Sequence, residues 1–271
     1  MAWYGPFMCL LIALFRQRAD APLVVAANRD EQLARPAMAM TVLREAGPRL
    51  LGGRDLLAGG TWMAVGEHGV VAALTNVPAP GGRDASKRSR GELPLALALH
   101  ATAAEAAAAA ERDIDPAEYN PCWLLVGDRA SLFYLDLGAG RPLRAQALPP
   151  GVHVLENQPL APVSIKAAFV ADAVSSALPP TTAPASTLIA PLHGVLRSHD
   201  VPPRALASVT GARPLPTFAA CVHGGTVYGT RSAAIVLVPS AAAHPPAVFF
   251  TDGPPCTAPL RDAAPLWTSS G

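Results

Sequence analysis

Residues 8–31 read MCLLIALFRQRADAPLVVAANRDE, and this stretch decides how the chain folds. Leu10–Phe15 is an unbroken apolar run of strand length, which predicts a buried strand. Residues 16–22 are polar and end in proline, the composition of a turn. Residues 23–27 are a second apolar run rich in valine, so the two runs together predict a hairpin with a longish loop.

Working outward, the same pattern recurs. Residues 41–44 suit an edge strand. Gly52-Gly53 and Gly59-Gly60 flank a polar segment and predict close backbone approach at both ends. Residues 61–65 and 70–75 are strand-like and are joined by Gly66-Glu67-His68-Gly69, the clearest hairpin signal in the chain. Residues 77–91 form a loop rich in Pro, Gly and basic side chains. Residues 92–112 are alanine-rich and predict a helix. Residues 122–126 and Leu132–Leu137 predict another hairpin around Gly127-Asp128, and residues 152–155 a strand. Residues 165–178 have helical spacing and stop before Pro179-Pro180, and residues 187–198 suit a third helix. Strands are expected again at 217–222, 226–230, 233–238 and Ala247–Thr251. Many hairpins and few helices argue for antiparallel sheets covered by helices, an α+β domain.

The bulk properties exclude several classes. Hydrophobic residues make up 51% of the 271 residues and charged residues 15%, so disorder is not the default. The formal charge is +1, and no nucleic-acid-binding motif accompanies it. No apolar run reaches the roughly 18 residues of a membrane helix, and the apolar start lacks the basic flank of a signal peptide. Cys9, Cys122, Cys221 and Cys256 are far apart with no CxxC pair, a usage that suits a reducing, cytoplasmic setting.

The chemistry begins at Met8-Cys9. Cysteine is small enough for a preceding initiator methionine to be removed. A free N-terminal cysteine carries its own base, because its α-amine titrates near ~7.7–8.0 and its thiol near ~8.5. The plainer alternative is a buried cysteine opening a strand. Motifs then follow in order: Asn28-Arg29-Asp30-Glu31 closing the second strand, Arg35-Pro36, Gly59-Gly60-Thr61-Trp62, Leu74-Thr75-Asn76, the stretch from Lys87 to Pro94, His153-Val154-Leu155-Glu156-Asn157, and Tyr228-Gly229-Thr230-Arg231-Ser232.

This ordered series resembles the NRDE family, also called the transport and Golgi organisation family, from Met8 to about residue 240. That family typically begins Met-Cys, whereas here seven residues precede Met8. The resemblance divides the chain into an extension (1–8) absent from the mature protein, one NRDE domain (9–251) and a loose tail (252–271). The family is also similar, distantly, to N-terminal-nucleophile hydrolases of the bile-salt and penicillin V amidase type. That likeness implies a four-layer αββα sandwich with Cys9 in a central cleft.

It further implies roles. Cys9 is the nucleophile, Asp30 positions its amine, and Asn76 and Asn157 stabilise the oxyanion. Asn28, Arg29, Arg90 and Arg231 bind substrate. Ala27 departs from the amidase branch, which carries an arginine there; Arg29 and Arg35 are the candidate replacements. Losing one oxyanion donor typically costs ~3–4 kcal/mol of barrier.

The leading expectation is a hydrolase of a linear amide, needing no cofactor and no metal, whose small-molecule substrate is unidentified and bears an anionic group. The basic loop with Arg83, Lys87, Arg88 and Arg90 suits that anion. The competing expectation is a non-catalytic carrier of haem or an acyl-CoA-like anion. Cys221-x-His223 offers two metal donors with no third nearby in sequence.

Overall fold

The computed structural model describes residues 9–78, 82–138, 141–203 and 218–268. Fourteen strands and four helices are named among them. In the first half the strands are β1 (Leu10–Phe15), β2 (Leu23–Gln32), β3 (Ala37–Arg44), β4 (Leu50–Asp55), β5 (Met63–Gly66), β6 (Val71–Asn76), β7 (Cys122–Gly127) and β8 (Leu132–Leu137). Then come β9 (Ala145–Ala147), β10 (Gly151–Leu155), β11 (His223–Gly224), β12 (Tyr228–Val238), β13 (Ala247–Thr251) and β14 (Leu260–Asp262). The helices are α1 (Glu92–Leu97), α2 (Ala103–Asp113), α3 (Ile165–Ala177) and α4 (Ile189–Leu196).

The strands form two antiparallel sheets. One has the order β10-β1-β2-β12-β13-β14, with β11 added beside β12; the other runs β3 to β9 in sequence order. Alternation within the opening runs explains the layering. Leu11, Ala13 and Phe15 of β1 face inward with Leu23, Val25 and Ala27 of β2, and meet Val65, Val71, Ala73 and Leu125 of the other sheet. Leu10, Ile12 and Leu14 face the opposite way, against Val170 and Val174 of α3 and Leu192 and Leu196 of α4. The second sheet repeats this, its outer face (Leu50, Ala72, Leu124) packing on α1 and the alanine face of α2. A strand with both faces covered must be apolar at every position, which is why LLIALF and LVVAA do not alternate. The result is the four-layer αββα sandwich. Among the described residues, no helix is long and apolar enough to cross a membrane.

Several local expectations are corrected. The alanine-rich stretch is two helices. Thr102 Oγ1 accepts from the Glu105 backbone N–H at 3.1 Å and starts α2 afresh, and Asp128 in the β7–β8 turn accepts from Ala103 N–H at 2.7 Å. Those caps satisfy donors that a continuous helix would have bonded internally. The expected third helix is α4, which starts at Ile189 because a short 3-10 turn, Ala185–Leu188, leads into it. The strands expected at 226–230 and 233–238 are one strand, β12, with a bulge between Thr230 and Ser232. Residues 218–222 are irregular and bent instead of forming a strand, and Thr217 lies outside the described residues.

The C-terminal segment is not loose. β14 pairs with β13, Leu266 and Trp267 pack on the inter-sheet core, and Trp267 Nε1 donates to Pro246 O at 2.9 Å. Close approach at the glycine pairs is borne out. A Cβ on Gly52 would lie 2.2 Å from Met63 O, and one on Gly60 2.6 Å from the Gly91 backbone.

Candidate active site

Cys9 immediately precedes β1 and is buried. The β1–β2 register pairs Leu10 with Asn28, so the residues just past Asn28 lie alongside Cys9. Cys9 Sγ contacts Asp30 O at 3.8 Å, a weak thiol–carbonyl interaction. Burial pushes the thiol up to about 12, and the Asp30 carboxylate adds to that rise. At neutral pH the sulfur therefore keeps its proton and needs a base before it can attack.

Asp30 is buried behind it. Thr230 Oγ1 on β12 donates to Asp30 Oδ1 at 2.5 Å, and Oδ2 has no hydrogen-bond donor among the described residues. Burial pushes the Asp30 carboxyl up to about 7, against the pull of Lys166. Lys166, only 1% exposed on α3, is pushed down by burial and partly restored by Asp30 and Glu156. Ser164 Oγ donates to Glu156 Oε1 at 2.5 Å. Lys166, Glu156 and Thr230 escaped the sequence-based site. A lysine at the second position of an otherwise apolar helix face was the available signal for the first of them.

A cleft of about 220 Å³ opens above the cysteine, lined by Cys9, Arg29, Asp30, Asn76, Arg83 and Arg90 among others. Arg29 is buried with its guanidinium 4.4 Å from the centroid of the Trp62 ring, and it lies 3.7 Å from both Glu31 and Asp55. Arg35, also in the wall, pairs with Asp55 at 2.6 Å. Two of the acidic side chains of the cleft, Glu31 and Asp55, are thus matched by arginines. Arg90 donates to Pro121 O at 3.1 Å, which orients it along the rim. Two other side chains of the basic loop are used structurally. Lys87 donates to Tyr119 O, and Arg88 pairs with Glu92 and Glu118.

The expected site residues therefore divide. Cys9, Asp30, Asn76, Arg29 and Arg90 come together. Asn157 adjoins them, and one of the two N–H groups of its Nδ2 is donated to the Asn76 backbone carbonyl. Asn28 points to the helical side of the sheet, where Nδ2 donates to Leu196 O and Ala220 O at 2.8 and 2.7 Å. The two-residue period of β2 that turns Ala27 and Arg29 inward turns Asn28 outward. Arg231, in the β12 bulge, donates to Leu33 O and ties down the end of β2 without lining the cleft. This is an arrangement suited to nucleophilic attack by sulfur on a carbonyl whose surroundings are cationic.

A profile of the family described as Transport and Golgi organisation 2 matches residues 8–244. No curated protein matches the chain in sequence. Among solved structures, the Caenorhabditis elegans N-acylethanolamine-hydrolyzing acid amidase ortholog is similar at 11% identity and a TM-score of 0.52, covering 87% of this chain and 96% of that one. A mutant conjugated bile acid hydrolase from Clostridium perfringens is similar at 11% identity and a TM-score of 0.50, covering 94% and 92%. At such identities the likeness is one of fold.

Proposed function

This chain belongs to the Transport and Golgi organisation 2 family, and from that membership and the cleft we propose that it hydrolyses a linear amide with the thiol of Cys9, once Cys9 is the N-terminal residue. The observation that carries this reading is the buried Cys9 thiol at the floor of an arginine-lined cleft, with Asp30 directly behind it. Such a thiol needs a neighbouring base, and a free α-amine titrating near ~7.7–8.0 is suited to the work. While residue 8 is attached, that nitrogen is an amide and is not basic. The unmatched Asp30 Oδ2 supports the same reading, since a buried acceptor without a donor calls for one, and an α-ammonium group supplies it.

In this mechanism Sγ attacks the amide carbon while its proton passes to the α-amine. The oxyanion that forms is met by the Asn76 side chain. The C–N bond then breaks, and the α-ammonium protonates the departing amine. Water attacks the resulting thioester, giving its proton to the α-amine, and the carboxylic acid leaves with the thiol restored. Arg29 and Arg90 favour a substrate bearing a carboxylate or similar anion. The two similar folds are named as an acid amidase and a conjugated bile acid hydrolase, which supports hydrolysis as the reaction class.

The test compares protein starting at Cys9 with the full chain, each verified by intact mass. The trimmed form is expected to cleave members of a linear-amide panel and to be alkylated at Cys9 by iodoacetamide. Cys9→Ala should abolish both signals and Cys9→Ser should weaken them. Equal activity in the full chain sinks the reading. The cationic wall also favours a second reading, a carrier of haem or an acyl-CoA-like anion. Stoichiometric binding of either ligand by a hydrolytically silent trimmed protein would establish it.

A further inference from the structure

Cys221-x-His223 looks like half a metal site in sequence, and the fold brings the other half to it. His199 lies just beyond α4, Cys221 precedes β11 by two residues, His223 opens β11, and Cys256 sits in the turn after β13. One donor atom from each of the four lies within 4.8 Å of all the others. The two sulfurs are 3.7 Å apart, and Cys256 Sγ is 3.2 Å from His223 Nε2. Bonds of about 2.3 Å to sulfur and about 2.0–2.1 Å to nitrogen, set at tetrahedral angles, place two sulfurs about 3.8 Å apart and sulfur about 3.5 Å from nitrogen. The observed spacings are close to those edges, and a disulfide would need the sulfurs near 2.05 Å.

The surrounding hydrogen bonds hold these residues in place. His199 Nδ1 is 2.9 Å from Cys221 O, a carbonyl that can only accept, so the ring carries its proton there and Nε2 is left with a lone pair. The His199 and His223 rings lie 4.5 Å apart, centroid to centroid. Cys221 N–H donates to Ser198 O at 2.9 Å, and Arg197 holds Cys256 O at 3.2 Å. Pairing of His223 with Gly229 fixes the last residue to β12.

We propose that His199, Cys221, His223 and Cys256 bind one zinc-class transition-metal ion in a tetrahedral site, the two cysteines as thiolates with their protons released to solvent. Four protein donors leave no open position, so the ion is structural. It clamps the end of α4, the start of β11 and the turn after β13 at one corner of the first sheet. That corner leads to the cleft. Val222, between two of the ligands, donates to Thr230 Oγ1 at 2.7 Å, and Thr230 donates to Asp30. The site does not depend on the hydrolase reading.

The test is cobalt substitution in the full chain, reduced and stripped with a chelator. One equivalent of Co2+ per chain is expected, with the intense visible bands of four-coordinate cobalt and a thiolate-to-cobalt charge-transfer band, all displaced by one equivalent of Zn2+. The double variant Cys221→Ser/Cys256→Ser should lose the charge-transfer band. His199→Ala, at an exposed position, should retain the fold by circular dichroism and bind at least about 10-fold more weakly. A weak six-coordinate spectrum, or none, in folded protein with its thiols titrated as free overturns the proposal. So does a Cys221–Cys256 disulfide that forms in the presence of zinc and blocks cobalt.

Discussion

Asp30 shows how one buried side chain can serve the site and strain the fold. Its carboxyl is raised from 3.8 to about 7, chiefly by burial. A carboxyl with a raised folded-state value holds its proton more tightly in the folded chain than in the unfolded one. Its contribution to stability is therefore fully present below the unfolded value and is lost as pH rises through the folded one. Asp30→Asn keeps an acceptor for Thr230 and removes the titration. Between pH 4 and 7 the unfolding free energy of the parent chain should fall relative to that of Asp30→Asn, as read from denaturant midpoints across that range. A constant difference between the two proteins across the window would show that Asp30 does not titrate there. In the proposed chemistry the same substitution should lower the rate of Cys9 alkylation in the trimmed protein, because the amine loses its orienting anion.

At the scale of elements, the cleft depends on how closely its wall segments approach. The turn between β4 and β5 meets the start of α1 backbone to backbone at Gly60 and Gly91, where Thr61 N–H donates to Gly91 O at 3.0 Å. A methyl on Gly60 would sit 2.6 Å from the Gly91 carbonyl carbon, and backbone on both sides cannot move as a side-chain tip can. Gly60→Ala is expected to cost about 1–3 kcal/mol in denaturant unfolding. It should also push away the segment that carries Arg90, so Cys9 should react faster with iodoacetamide in the folded protein. Unchanged stability and unchanged thiol reactivity would show that the two segments are not packed as described. A similar economy appears at the β7–β8 turn, where Asp128 caps both its own turn and the start of α2.

Across the whole molecule, the last segment joins the two sheets. β14 extends the first sheet, Ala263 enters the inter-sheet core, and Ala263 N–H donates to Val248 O at 2.8 Å. Arg49, next to β4 in the second sheet, donates to Leu266 O at 2.8 Å. Removing residues 259–271 strips those bonds and uncovers apolar surface at the sandwich edge. The expected loss is on the order of 2 kcal/mol or more, from burial of roughly one large apolar side chain, measured as a lowered unfolding midpoint. A truncated chain as stable as the parent would show that the edge carries no weight.

The sequence by itself determined the layers. Runs such as Leu10–Phe15 are apolar at every position because their strands are covered on both faces, and that requirement is local enough to read directly. The ordered motifs likewise led to Cys9, Asp30 and the arginines of the cleft. What only the tertiary structure decided is direction and company. Asn28 and Asn157 both have suitable side chains, yet Asn28 is turned to the helices by the strand's two-residue period while Asn157 is brought beside Asn76 and donates to its carbonyl. Lys166 lies 136 positions from Asp30 and influences it only because α3 packs on the sheet that carries β2. His199, Cys221, His223 and Cys256 gather from three separate segments. Electrostatic and coordination interactions depend on distance in space, and the sequence fixes that distance only after the sheets have set the register of every strand.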